Sequence, residues 1–222
     1  MKLLAIDTSS SACSVGLLIG DEIKTIHEIA PLQQAQKILP MIEKILQESA
    51  MSLNELDGLA FGCGPGSFTG VRIATSVMQG IGYAVDLPLM PVSSLAALAQ
   101  AAYSELGWSK LLVAIDARIQ EVYWGAYQAN TEGIVELINT EMVCPPEDII
   151  LPNESDWYGV GNAWEVYSGQ ISARPTHIDT TRLPTALGVL QLAKVRYEKK
   201  EWVDAENAFP SYLRNEVALK KK

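Results

Sequence analysis

A short apolar run ending in an aspartate occurs twice in this chain, and each time a tight turn and a second strand follow. Leu3 to Ile6 leads into Asp7-Thr8-Ser9-Ser10-Ser11. Cys13 to Ile19 predicts a second strand, Gly20-Asp21 a hairpin turn and Ile23 to Ile29 a third strand. In the second half, Leu111 to Ile115 leads into Asp116-Ala117-Arg118, and Glu121 to Tyr127 alternates as a strand. Asn130-Thr131-Glu132-Gly133 then marks a turn, and Ile134 to Val143 predicts a third strand. Two copies of strand, acid, turn, strand, turn and strand predict a duplicated, two-lobed α/β architecture, each lobe a mixed sheet flanked by helices. The 222 residues suffice for one large domain or two small lobes. With Gly107-Trp108-Ser109 as the junction, the expected lobes are residues 1–106 and 107–222.

Between the two copies lies Gly62-Cys63-Gly64-Pro65-Gly66-Ser67-Phe68-Thr69-Gly70-Val71-Arg72-Ile73, entered by an expected strand from Asn54 to Phe61. Its four glycines and one proline impose a path closed to most residues, and positive φ is expected at several of them. Ser67 and Thr69 offer hydroxyls where the following helix has free N–H groups. Such a loop either holds an anion or forms a rigid corner that another protein reads. Helices are expected on both sides of it, Gln33–Ser49 before and Thr69–Val85 after. At 100° per residue, the apolar positions of the first, including Ile38, Leu39, Met41, Ile42 and Ile45, span about 160°. Those of the second, including Val71, Ala74, Val77, Met78 and Ile81, span roughly 180°. Both arcs exceed what one sheet face needs, which fits either a helix sandwiched within the domain or a helix awaiting a partner. Further on, Leu89–Val92 and Trp157–Val160 predict strands, and Ser93–Leu106 and Pro184–Glu198 helices. Phe209–Arg214 predicts an ordered terminal segment packed by Tyr212 and Leu213.

Composition narrows the function. A formal net charge of −9 argues against this chain alone gripping a nucleic-acid backbone, since phosphate binding rests on Lys and Arg. The main basic cluster, Lys220-Lys221-Lys222, reads as a solvated end. Three widely spaced cysteines, Cys13, Cys63 and Cys144, suggest neither a disulfide framework nor a metal knuckle and fit a reducing compartment. The first apolar run is too short for a signal peptide or membrane span, so a cytoplasmic location is expected. The two histidines, His27 and His177, lack any ligand spacing, and no metal site is expected. Ser67 does not sit in a Gly-x-Ser-x-Gly elbow, which removes the usual esterase signature.

An acid at a strand end followed by hydroxyl residues in a hairpin also suits a phosphate-binding turn, with the acid orienting hydrated Mg²⁺. Asp7, Thr8, Ser9 and the repeated Asp116, together with the thin Gly159–Gly161 motif, therefore outline a degenerate nucleotide cleft. The bland alternative is that Asp7 caps its own turn. The repetition of the acid favours the actin-like, sugar-kinase-like (ASKHA) fold more than it favours catalysis.

With these features in hand, the chain resembles the TsaB (YeaZ) family, partner subunits in tRNA threonylcarbamoyladenosine modification. The resemblance rests on Leu4-Ala5-Ile6-Asp7-Thr8-Ser9, Ile38-Leu39-Pro40, Gly64 to Ile73, Ala114 to Arg118, Glu121-Val122-Tyr123-Trp124 and Tyr212-Leu213-Arg214. It implies an actin-like ATPase fold and a non-catalytic scaffold that activates a paralogous catalytic subunit, TsaD, with a small ATPase, TsaE. TsaD transfers a threonylcarbamoyl group to adenosine 37 of tRNAs that read codons beginning with adenine. The resemblance further implies a homodimer of the isolated chain, a heterodimer with TsaD, and tRNA contact only through the complex.

The implied interface uses Ile38, Leu39, Met41, Ile42 and Ile45 of the first helix. From the second it takes Gly70, Val71, Arg72, Ala74, Val77, Met78 and Ile81. No catalytic residue, metal or cofactor is expected in this subunit; weak ATP and Mg²⁺ binding stays open, and the metal is expected on TsaD. One departure supports the non-catalytic reading. Where relatives often begin the first helix with His followed by Ser or Thr, this chain has Gln34-Ala35, and an amide is a poor replacement for imidazole at a transition metal. The competing function is a degenerate ATP-dependent phosphotransferase built on the same cleft.

Overall fold

The structure, a computed structural model, describes residues 1–152 and 156–214; Lys220-Lys221-Lys222 lies outside the described residues. In the first half, five strands form one mixed sheet: β1 (Lys2–Asp7), β2 (Ala12–Ile19), β3 (Glu22–Ile29), β4 (Gly58–Gly64) and β5 (Leu89–Ser93). Their order is β3-β2-β1-β4-β5, with the first three antiparallel and the last two parallel to β1. The second sheet contains β6 (Lys110–Arg118), β7 (Glu121–Ala129), β8 (Val135–Leu137), β10 (Tyr158–Val160) and β11 (His177–Asp179). Its order, β11-β10-β6-β7-β8, repeats the first with the same directions, and β9 (Met142–Cys144) pairs with the other end of β7. The duplication read from two acid-tipped strands therefore extends to sheet order, and the fold is the actin-like two-lobed α/β fold.

Helices α1 (Gln34–Glu48) and α2 (Phe68–Val85) cover the outer face of the first sheet. Ile38, Met41, Ile42 and Ile45 recur at the three- and four-residue spacing of one helix face. They pack with Ala74 and Met78 of α2 against Leu4, Ile6, Val15 and Phe61. Helices α3 (Ser94–Leu106) and α5 (Ala186–Glu198) pack on each other between the sheets, α3 reaching β6, β7 and β8, and α5 reaching β1, β2, β4 and β5. Among the described residues the second sheet has no long outer helices. Where the first carries α1 and α2, it has a 3₁₀ turn at Pro146–Asp148 and the one-turn α4 (Ala163–Val166).

Three elements differ from expectation for local reasons. The strand expected from Asn54 begins at Gly58, because Ser52 and Glu55 cap a 3₁₀ turn over Leu53–Glu55, the Ser52 N–H donating to Glu55 Oε2 at 2.9 Å. The single strand expected over Ile134–Val143 is two strands. Asn139 interrupts it, its Oδ1 accepting the Ala126 N–H at 2.8 Å where a backbone carbonyl would continue the ladder. Strand β11 was not expected at all; three residues are too few to show a period.

Candidate functional site

The glycine-rich loop meets the first acid-tipped hairpin directly. A Cβ on Gly70 would lie 1.9 Å from the Thr8 carbonyl oxygen, and one on Gly62 would lie 1.9 Å from Asp7 Oδ2. Close approach, not unusual backbone, is thus the main reason for these glycines; within the loop only Gly64 has positive φ, at 100°. Hydrogen bonds lock the pair together. The Ser67 N–H donates to the Ser9 carbonyl at 2.7 Å, and Thr8 Oγ1 donates to the Gly70 carbonyl at 2.6 Å. Ser67 Oγ accepts from the Gly70 N–H at 3.3 Å and caps α2. The loop is a rigid corner seated on protein backbone, and Thr8 and Ser9 are occupied by it.

Asp7 is sealed beneath that corner, 1% exposed. Its Oδ1 accepts from the Ser9 N–H at 2.9 Å and from Ser9 Oγ at 2.8 Å. Oδ2 is buried without a hydrogen-bond partner among the described residues. Burial therefore raises its pKa to about 6, while the contacts of Ser9 and the nearby Ser94 hydroxyl oppose the shift.

Asp116 occupies the matching position in the second sheet but a different environment. Its Oδ1 accepts from the Arg118 N–H and from the Tyr167 hydroxyl, both at 2.8 Å, and Oδ2 faces Arg118 Nη1 at 3.2 Å. The Asn162 carboxamide oxygen accepts the Asp116 N–H at 3.0 Å. Ser9 and Asp116 line a cavity of about 630 Å³ between the lobes, with Arg118, Arg182, Tyr212 and Arg214 also in its wall. Asp7, Thr8, Gly159 and Gly161 are not among its lining residues. Gly159 packs against Trp164, and Gly161 against the Ala114 carbonyl, so both serve the seating of β10. The six candidate cleft residues are thus not gathered around one space.

No group of three or more His, Cys, Asp and Glu side chains among the described residues is placed to hold a metal. Gln34, where α1 begins, donates from Nε2 to the Ser10 carbonyl at 2.9 Å and so pins the helix to the β1–β2 hairpin. The three thiols are buried, and desolvation raises Cys63 to about 12 and Cys13 and Cys144 to about 11, which leaves them protonated and unreactive near neutrality.

The two outer helices divide their apolar residues between two sides. Ile38, Met41, Ile42, Ile45, Gly70, Val71, Ala74 and Met78 are buried within this chain. They fasten the helices to the sheet. Leu39 is 54% exposed, Arg72 is exposed, and Val77 and Ile81 are half-buried. The outward strip also contains residues that the periodicity count did not single out: Phe68 at 48%, Tyr83 at 84%, and Gly80, whose missing Cβ faces open space. A glycine inside a long helix with nothing crowding it was the available signal, because such a residue weakens a helix without a local reason.

A terminal strap completes this face. Ser211 N–H donates to the Cys63 carbonyl at 2.7 Å, and Gln79 Nε2 donates to the carbonyls of Ala205 and Ala208 at 3.2 and 2.7 Å. Arg72 stacks over the Phe68 ring, its guanidinium carbon 3.5 Å from the centroid, and its Nε donates to the Tyr212 hydroxyl at 2.9 Å. Arg214 pairs with Glu121, which ties the strap to the second sheet. The ordered terminal segment expected from Tyr212 and Leu213 is therefore present, with Tyr212 engaged mainly through Arg72.

Comparison with known proteins fits this geometry. The family model described as "TsaD: tRNA N6-adenosine threonylcarbamoyltransferase" matches residues 25–222. A Haemophilus influenzae protein named tRNA threonylcarbamoyladenosine biosynthesis protein TsaB is 43% identical, across 100% of this chain and 97% of its own length. The Escherichia coli K12 protein of the same name is 39% identical, across 100% of this chain and 98% of its own. Among solved structures, YeaZ from Pseudomonas aeruginosa superposes with a TM-score of 0.93 at 45% identity, over 96% of this chain and 99% of that one. Full-length similarity in both sequence and backbone, on top of the acid-tipped hairpins and the glycine corner, means that the chain belongs to the TsaB (YeaZ) family.

Proposed function

We propose that this chain acts in tRNA threonylcarbamoyladenosine biosynthesis as a non-catalytic scaffold and activator of a TsaD-type catalytic subunit. The modification is that of adenosine 37 in tRNAs reading codons that begin with adenine. The carrying observation is the outward strip of α1 and α2, where Leu39 and Tyr83 are exposed, Val77 and Ile81 are only half-buried, and no further element of the described residues closes over them, while Asp7 is sealed and Asp116 already paired. A helix face of this kind buries its apolar side chains against the equivalent helices of a partner. Within this reading the chain pairs with itself when alone, works with a TsaE-type ATPase in the complex, and meets tRNA only through the assembly, as its net charge of −9 favours.

Reconstitution tests the reading. The chain is combined with a TsaD-type subunit, a TsaE-type ATPase, the enzyme that forms threonylcarbamoyl-adenylate, and tRNA, and is then omitted alone. Omission is expected to abolish modification; an undiminished rate without it would refute the activator role. Val77→Glu and Tyr83→Glu report on the interface, the latter at a site too exposed to disturb the fold. Either places a charge where a partner's apolar side chains would close and is expected to dissociate the complex.

A further inference from the structure

The exposed strip of α2 has a charge order that fits a second copy of the same helix. Within Phe68–Val85 the one charged residue is Arg72, and the helix ends on Asp86, which adopts a left-handed cap. Arg72, Ser76, Gly80, Tyr83 and Asp86 follow one another at four- and three-residue steps, so they lie along one side, and all five are exposed. Neither Arg72 nor Asp86 has an ion-pair partner among the described residues. The acids of the neighbouring α1 strip are already engaged within their own helix, Glu43 by Gln47 and Glu48 by Lys44.

The two unpaired charges are fourteen positions apart, about 21 Å along the helix, and their midpoint falls at Gln79, beside Gly80. An antiparallel copy crossing at that midpoint brings each Arg72 to the Asp86 of the other chain. It also sets Tyr83 beside the small, exposed Ser76, and the open space at Gly80 lets the two backbones approach. A parallel copy would oppose Arg72 to Arg72. Arg72 is already oriented for such a contact. Phe68 and Tyr212 hold its guanidinium through ring stacking and the Nε bond, which leaves the Nη groups to meet a carboxylate.

We propose that Arg72 and Asp86 fix the register of a symmetric pair of these chains, with the two α2 helices antiparallel, centred on Gln79–Gly80, and joined by two Arg72–Asp86 ion pairs. Phe68 and Tyr212 are positioning residues for Arg72. The proposal rests on the reading that this face docks a protein, and it adds which residues decide the geometry when the occupant is a second copy.

Sedimentation equilibrium of the full chain, Asp86→Lys, Arg72→Glu and the double exchange Arg72→Glu/Asp86→Lys tests it. Asp86→Lys is the informative single change, because Asp86 has no side-chain partner within the described chain and its loss leaves the fold alone. It is expected to weaken self-association by about tenfold or more, since two attractive pairs become repulsive. The double exchange is expected to restore the dissociation constant to within about threefold of the parent. Gly80→Cys is expected to cross-link between copies on oxidation, while Thr69→Cys, far from the crossing point, does not. A parent chain that stays monomeric, a neutral Asp86→Lys, or a double exchange that restores nothing each overturns the proposal. Binding of the same variants to the TsaD-type subunit separates this from the broader reading: loss of self-pairing with that complex intact confirms the register, and a failed Tyr83→Glu test there strikes the function instead.

Discussion

Replacing Asp7 with Asn is expected to stabilise this protein at neutral pH, although it removes a carboxylate that accepts two hydrogen bonds. The carboxyl is sealed, its Oδ2 has no partner among the described residues, and its pKa is raised from 3.8 to about 6. In the unfolded chain it titrates near 3.8, so between these values the native state keeps a proton that the unfolded state has released. Stability therefore falls as pH rises through this window, and the loss is complete above the folded pKa. A gap of about two units is worth about 3 kcal/mol. The neutral Asn amide keeps Oδ1 for Ser9 and turns Nδ2 towards Ser94, at a cost of about 1 kcal/mol for its imperfectly satisfied N–H groups. The net expectation at pH 7.5 is a gain of about 2 kcal/mol, or roughly 4–8 °C in Tm for a chain of this size. At pH 4 the native carboxyl has lost only about 0.5 kcal/mol to this linkage, so the order reverses and the variant is about 0.5 kcal/mol less stable. Urea unfolding of both proteins at half-unit pH steps from 4 to 7.5 measures the difference directly, and the subtraction cancels every other titrating group. A difference that stays constant with pH would refute the assignment of a sealed, charge-averse carboxyl.

Two further outcomes follow from the same corner. Gly70→Ala forces a methyl to within 1.9 Å of a backbone oxygen, where neither partner can yield, and is expected to cost more than about 3 kcal/mol or to prevent folding; a Tm within a few degrees of the parent would contradict the packing. Calorimetric titration of the isolated chain with ATP and Mg²⁺ is expected to give no binding heat, because Thr8 and Ser9 are engaged by Gly70 and Ser67; micromolar affinity with turnover would favour the phosphotransferase reading.

Much of this protein was legible from residue order alone. Strands, turns and the two acids are local signals, because a strand shows its period within a few residues and a turn shows its chemistry in one or two. The duplicated α/β layout followed from them, as did both outer helices. Failures were also local in origin: Asn139 replaces a backbone acceptor with its side chain, and β11 is too short to carry a pattern. Tertiary structure alone decided what each feature is for. The two equivalent acids look alike in sequence, yet one is sealed beneath glycines and the other is braced by Arg118 and Tyr167 in an open wall. The wide apolar arcs likewise did not say which residues face the sheet and which face outward, since periodicity gives angles around an axis but not what lies at each angle. Ile42 and Tyr83 are both apolar positions on those helices; the sheet behind one, and the lack of any element over the other among the described residues, make the first core and the second surface.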